Sequence, residues 1–134
     1  MFVRGVFLAL VVTGAAAAQD ADPEVGQHLF MTYCWQCHGD AATGNGPMAE
    51  VLSITTPDLT RLSARNDGVF PMELVARHID GRAPLRAHGG EMPIFGPFFE
   101  SDQHVALRLP SGQPMLAPFP LASVIVYLES LQQE

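Results

Sequence analysis

One short stretch of the sequence, Cys34-Trp35-Gln36-Cys37-His38, groups two thiols and an imidazole in the pattern C-x-x-C-H. Two cysteines at this spacing lie one helical turn apart, so each thiol can add to one vinyl group of the same haem. The histidine beside the second thiol then lies under the ring, where its imidazole reaches the iron. The pattern therefore predicts covalent attachment of one haem c through Cys34 and Cys37, with His38 as an axial ligand of the iron.

The two cysteines could instead form one of three other sites: a redox-active dithiol, a structural disulfide or a zinc site. A redox-active dithiol would want a strand before the motif, within a βαβ unit, but a helical pattern precedes Cys34. A disulfide between Cys34 and Cys37 would close too short a loop to stabilise the chain much. A zinc site would need four ligands, and the histidines available to complete it lie at irregular distances: His28, His78, His88 and His104. Haem attachment is favoured because it would also stabilise a small chain that has no other cross-link, such as a set of disulfides.

The composition describes a small, acidic chain with much loop. It has 134 residues, enough for about one domain, and a formal net charge of −7 with no lysine. This charge argues against a nucleic-acid binder, which needs a cationic surface. The 12 glycines and 11 prolines indicate long loops, although 48% hydrophobic residues exclude a disordered tail. The faces of a haem would add apolar area that so short a chain cannot supply alone.

Residues 1–18 have the features of a secretory signal peptide. Arg4 supplies the positive charge, residues 6–12 form an apolar run, and Ala16-Ala17-Ala18 offers a small-residue cleavage site. An uncleaved anchor is the alternative, but the run is short for a bilayer span, which needs about 20 apolar residues. We therefore expect residues 19–134 to form one exported domain in the bacterial periplasm, without stable membrane insertion after cleavage.

The spacing of apolar residues in this domain predicts four helices of modest length. The first starts at Asp22-Pro23-Glu24 and ends at Cys34, the second is opened by Thr56-Pro57-Asp58, the third runs from about Pro71 to Asp80, and the last carries Leu121 to Leu131. Alternating apolar residues at 105, 107 and 109 before a Pro-Ser-Gly turn suggest a small hairpin. The predicted fold is all-α, with long loops and at most this hairpin.

Over nearly the whole predicted domain the sequence resembles the class I cytochromes c, which carry one haem. The residues that carry the resemblance are Gly26 and Phe30, the motif at 34–38 with Gly39, the Thr-Gly-Asn-Gly-Pro loop at 43–47, Pro-Asp-Leu-Thr at 57–60, Ile-Asp-Gly-Arg at 79–82, Met92 to Gly96, and Tyr127 to Leu131. The resemblance implies about four short helices wrapped around one covalently bound haem, with the first and last helices in contact. A motif near the N-terminus argues against cytochrome c′-like bundles, which carry it near the C-terminus.

The resemblance also implies a methionine sulfur on the iron opposite His38. Met92 begins a Met-Pro-Ile-Phe-Gly segment that matches the family's ligand loop, and it lies 54 residues after His38, far enough to wrap around the ring. Met115 is the rival, because it too lies in a proline-containing loop before the last helix. His88 offers a third possibility, a bis-histidine iron. We expect His38 and Met92 to be the two axial ligands.

The expected function is that of a one-electron carrier between membrane-bound or periplasmic redox proteins. An iron closed on both faces leaves no site for a substrate, so no enzymatic activity is expected. The chain has no lysine, so its partners should offer basic or neutral docking patches, and it should be a monomer or form transient complexes. Two alternatives are a haem subunit of a dehydrogenase, bound through the insertion at 97–120, and an open-iron sensor or peroxidase if Met92 does not ligate.

Overall fold

The computed structural model describes residues 20–82 and 92–133. The described chain contains four helices and a small antiparallel sheet of two strands, in the order α1 (Pro23–Tyr33), α2 (Trp35–His38), α3 (Met72–Asp80), β1 (His104–Arg108), β2 (Pro114–Pro118) and α4 (Phe119–Ser130). The predicted all-α fold is confirmed in part: the described chain is mostly helical, with four helices, but it also contains the small hairpin that the sequence suggests. The predicted signal peptide at 1–18 lies outside the described residues, and no helix within them is long and apolar enough to cross a bilayer.

Helix α1 begins where the sequence predicts. The carboxylate of Asp22 accepts a hydrogen bond from the backbone N–H of Glu24 at 2.8 Å, and Pro23 occupies the first turn, where a missing N–H costs nothing. The backbone N–H of Asp22 in turn donates to the Ser123 hydroxyl of α4 at 3.1 Å. The cap therefore also fixes the start of α1 against the last helix.

The first and last helices cross at Gly26. A Cβ atom at this position would lie 2.0 Å from the backbone oxygen of Ser123, so only glycine permits this approach. One turn further, the rings of Phe30 and Tyr127 pack with their centroids 5.6 Å apart, and both residues are buried. The contact of first and last helices implied by the family resemblance is thus confirmed.

Gly26→Ala is expected to destabilise the protein although alanine is the better helix former. The propensity gain is about 1 kcal/mol, whereas overlap with a backbone oxygen that cannot move aside is typical of overpacking, which costs about 1–3 kcal/mol and more when backbone must shift. We expect a net loss of about 2 kcal/mol, measured by urea unfolding of the haem-loaded protein. Gln27→Ala, at the exposed next position, is the matched control, and equal midpoints for the two variants would contradict this account of the crossing.

The predicted second helix is wrong in extent. Only the 3₁₀ turn Leu59–Arg61 forms there, capped by the Asp58 carboxylate, which accepts hydrogen bonds from the backbone N–H and the hydroxyl of Thr60. The Leu59 carbonyl and the Ser63 N–H, which would pair with each other in an α-helix, are instead bonded to the side-chain amide of Gln132 at 2.8 and 2.9 Å. The Thr60 hydroxyl also lowers the pKa of Asp58. The chain then continues as turns up to Gly68, where φ is +79°. The fourth helix is instead α2, which lies within the C-x-x-C-H motif itself.

Helix α3 ends as predicted at Gly81, which adopts the left-handed conformation with φ of +88°. The segment that follows the undescribed residues returns to this end of the helix. The backbone N–H of Phe95 donates to the carbonyl of Ile79 at 2.9 Å, and a Cβ atom on Gly96 would lie 2.7 Å from the Asp80 oxygen. Residues 95–96 are therefore held closely against the C-terminus of α3.

The hairpin occupies much of the insertion at 97–120. In its register Leu107 lies opposite Met115 and Val105 opposite Ala117, and Val105, Leu107 and Ala117 are buried. This face joins the core beneath α4, while Leu116 on the other face is 70% exposed. The insertion is therefore a folded part of the domain, and its inward face is structural.

Candidate functional site

The C-x-x-C-H motif continues directly from α1. The backbone N–H of Cys34 donates to the Phe30 carbonyl at 2.8 Å and so closes α1, and the N–H of His38 donates to the Cys34 carbonyl at 2.9 Å. This single turn of α2 buries His38, which is 7% exposed, and leaves Cys34 and Cys37 half-buried. The structure thus brings the three residues predicted from the motif together on one helical turn, with both cysteines half-buried and neither in a disulfide.

The glycine-rich loop after the motif folds back on α2. Backbone N–H groups at 44, 46 and 48 donate to the carbonyls of His38, Cys37 and Gln36 at 2.8, 3.2 and 2.8 Å respectively. A four-residue helix cannot satisfy its last carbonyls itself, so the loop supplies the missing donors. The motif is consequently held from one side by α1 and from the other by its own following loop.

Glycine is required at two positions of this loop. At Gly46 a Cβ atom would lie 2.4 Å from the Gln36 oxygen, and at Gly44, where φ is +84°, it would lie 2.4 Å from the Thr56 oxygen. The second contact brings the Thr56-Pro57 segment beside α2. The Thr-Gly-Asn-Gly-Pro sequence, which the family resemblance includes, is therefore explained by backbone packing around the motif.

His38 is held neutral by its surroundings. Burial lowers its pKa below that of an exposed imidazole, and the backbone carbonyl of Pro57 opposes part of this shift. Its Nδ1 atom is buried and forms no hydrogen bond of ordinary length and angle within residues 20–82 and 92–133, so the Pro57 carbonyl acts as a nearby dipole. A neutral imidazole retains the lone pair that a metal ion needs.

The cysteines do not have the properties of a redox-active dithiol. Burial raises the pKa of the Cys34 thiol to about 12, and the neighbouring Cys37 adds to the shift. Catalytic dithiols show the opposite shift, because the thiolate is their nucleophile. The two sulfurs are not joined in a disulfide, and across the described part of the chain no three His, Cys, Asp or Glu side chains are grouped as a metal site. The raised pKa of Cys34 disfavours the dithiol alternative.

The same properties fit a covalently bound haem. Thioether formation needs two thiols one helical turn apart that are not joined in a disulfide, and an axial ligand must be a neutral imidazole held at a fixed position. The buried polar atoms Nδ1 of His38 and Oγ1 of Thr56 lack hydrogen-bond partners among the described residues, as expected beside a site that a bound group would complete. Cys34, Trp35, Met92 and Phe95 pack, half-buried, against the apolar core. Cys34, Cys37 and His38 would hold the haem from this side.

The two candidate methionines occupy different kinds of position. Met92 starts the segment that returns to the end of α3, and it is half-buried against the core. Met115 lies within strand β2, where its partner in register is Leu107, so it belongs to the core-facing side of the hairpin. This placement indicates a packing role for Met115. His88 lies outside the described residues.

Sequence reasoning missed two contributors to this site. Pro57, whose carbonyl influences His38, was assigned only to a helix start, and nothing in the local sequence indicates the contact. The ring of Tyr33, the last residue of α1, contacts Phe95, Phe98 and Phe99 at centroid distances of 6.2, 5.8 and 5.7 Å, and the helical pattern of α1 does not indicate these contacts. The excess of phenylalanine at 95–99 is the one sequence signal that points to such a cluster.

Comparison with known proteins identifies a family. A family model described as Cytochrome c matches residues 23–105, from the start of α1 to the second residue of β1. The matched range includes the motif, its supporting loop, α3 and Met92. No curated protein and no solved structure gave a match.

Proposed function

Because the chain belongs to the cytochrome c family, we propose that it is a periplasmic one-electron carrier with a single haem c whose iron lies between His38 and Met92. Electron transfer through haem is the activity of the family. The observation that carries the proposal is the C-x-x-C-H motif on a buried, doubly supported helical turn, with both thiols free and His38 neutral. The haem, when bound, supplies a metal that cycles between ferric and ferrous states.

The chain's own residues have three tasks in this function. Cys34 and Cys37 fix the haem covalently, so the cofactor is not lost in an exported protein. His38 presents one ring nitrogen at a position set by α1 and by the glycine-rich loop, so the ligand needs little movement when the iron changes charge. Met92 supplies a thioether, which favours the ferrous state and raises the reduction potential relative to two histidines. Together these residues would hold the haem and would leave its iron no open coordination position.

The proposed partners are redox proteins with basic or neutral docking patches. The chain carries 14 acidic and seven basic residues, so its field attracts positively charged surfaces. Redox encounters bury small interfaces, which allows fast dissociation after transfer. The signal-like segment at 1–18 supports export to the periplasm. A transient monomeric carrier with this charge is the form of the protein that we propose.

A permanently bound haem subunit of a dehydrogenase is the second candidate. It is favoured by the exposed apolar side chains on the insertion, where Phe98 is 64% and Leu116 is 70% exposed. Such residues are more common in lasting interfaces than on a free carrier. Size-exclusion chromatography of the protein at its native expression level separates the two: a carrier elutes alone, whereas a subunit elutes with its complex.

Absorption spectra of the purified, haem-loaded protein test the proposal. We expect haem that resists acid extraction, a far-red sulfur-to-iron band in the oxidised form, and no spectral change when CO is added to the reduced form. Acid-extractable haem would contradict covalent attachment. CO binding with no far-red band would instead show an open iron, as in a sensor or peroxidase.

A further inference from the structure

Four aromatic side chains connect the end of α1, directly before the attachment motif, to the segment after Met92. The rings of Tyr33, Phe95, Phe98 and Phe99, here called the aromatic cluster, make five mutual contacts with centroids 5.7–6.3 Å apart. Tyr33 contacts all three phenylalanines, and against Phe99 its ring is nearly perpendicular, at 85°. These distances lie within the range of favourable ring pairs. Tyr33 is therefore the common member through which the cluster reaches the motif.

The aromatic cluster joins the two parts of the chain that would supply the proposed ligands. Tyr33 is adjacent in sequence to Cys34, which would attach the haem, and Phe95 follows Met92 by three residues. The segment at 95–96 is also held at the end of α3, through the Phe95 N–H and the close approach of Gly96 to Asp80. The aromatic cluster adds a second attachment, to the end of α1.

The four rings differ in burial, so some of them can be removed without disturbing the folded core. Phe99 is 1% exposed and belongs to the core, whereas Phe98 is 64% and Tyr33 is 38% exposed. Removing the ring of Tyr33 or Phe98 therefore leaves no large internal cavity. The Tyr33 hydroxyl makes no hydrogen bond among the described residues, so its ring alone carries the contacts.

We propose that Tyr33 is a positioning residue for the Met92 ligand. Together with Phe98, it fixes the segment after Met92 to the end of α1, directly before the attachment motif, and so opposes displacement of the methionine from the iron. The inference rests on the proposed function, because it takes Met92 as the ligand. These attachments together restrict the segment, so departure of the sulfur requires the ring contacts to open. Loss of the Tyr33 ring removes three contacts at once and leaves the segment attached to the end of α3 and, through Phe99, to the core.

Competition by imidazole in the oxidised, haem-loaded protein measures this restraint. Imidazole replaces the methionine sulfur as a simple exchange of ligands, and loss of the far-red band reports it. We expect Tyr33→Leu to raise the apparent affinity for imidazole at least about tenfold, since each ring contact is worth up to about a factor of ten in an equilibrium constant. Phe98→Leu should raise it by a smaller factor, because Phe98 contributes two contacts.

Two controls and a second readout make the test decisive. Tyr33→Phe keeps the ring and should match the wild type, and Leu116→Ala removes an exposed apolar side chain outside the aromatic cluster. Far-ultraviolet circular dichroism measures global unfolding of the same samples. An unchanged imidazole affinity in Tyr33→Leu, or a change that only parallels a lower unfolding temperature, overturns the inference. A wild-type protein with no far-red band overturns the assignment of Met92 itself, and so the proposed ligand set.

Discussion

Met92→Ala is expected to abolish the far-red band of the oxidised protein and to let CO bind when the protein is reduced. Removing the thioether leaves the iron with His38 alone, so a coordination position opens to water and small ligands. The reduction potential should fall by on the order of 0.1 V or more, because axial ligands set haem potentials over a range of about 0.8 V. Spectra, CO titration and potentiometry of the purified variant measure all three effects.

Met115→Ala is the matched control for this substitution. Met115 lies in β2 opposite Leu107, so its loss should lower stability by about 2–3 kcal/mol at most, as for a half-buried methionine, and leave the spectrum unchanged. If the far-red band disappears in Met115→Ala and persists in Met92→Ala, the ligand assignment is wrong. The pair therefore decides between the two methionines that the sequence leaves as rivals.

The second large effect is expected from the double substitution Cys34→Ser and Cys37→Ser. With both thioethers gone, haem can be held only by its axial ligands, so acid extraction should remove it completely and the yield of haem-loaded protein should fall at least about tenfold. A chain of this size, rich in loops, also loses much of its apolar core when the haem leaves. Haem content after acid extraction and helicity by circular dichroism are the measurements.

Each single cysteine substitution serves as the control for the double one. Cys34→Ser or Cys37→Ser keeps one thioether, so part of the haem should still resist extraction. If the double variant keeps unextractable haem, attachment does not use these thiols. If the single variants lose as much haem as the double, the two bonds are not independent, and attachment is all-or-none.

The elements that were predicted correctly are those fixed by local chemistry. The start of α1 follows from the carboxylate of Asp22 and the ring of Pro23, and the end of α3 follows from Gly81. The hairpin follows from apolar alternation, which needs no knowledge of its neighbours. In these places the residues that decide the structure lie within a few positions of the element itself.

The parts of the fold that were not predicted depend on residues distant in sequence. At Leu59–Arg61 the side-chain amide of Gln132 bonds to the Leu59 carbonyl and the Ser63 N–H, which the predicted α-helix would have paired with each other. At 95–99 the backbone follows contacts with Ile79 and Tyr33, which are distant in sequence and have no periodic signature. The same holds for the candidate site. The motif lies within five consecutive residues and was predicted, whereas the contacts of the Pro57 carbonyl and of the aromatic cluster join residues distant in sequence and were not.

The supports of α2 also determine an order of assembly. Every backbone bond that the loop makes to this helix spans at most 12 residues, from Gln36 to Met48, so the helix and its loop can close within microseconds of the segment becoming available. The bond from Asp22 to Ser123 instead spans 101 residues and must wait for the C-terminal helix. In the export that we propose, a chain that crosses the membrane N-terminus first presents Cys34 and Cys37 with α2 and its loop already in local contact, while α4 is still absent. The haem would then be attached before the C-terminal helix packs against α1.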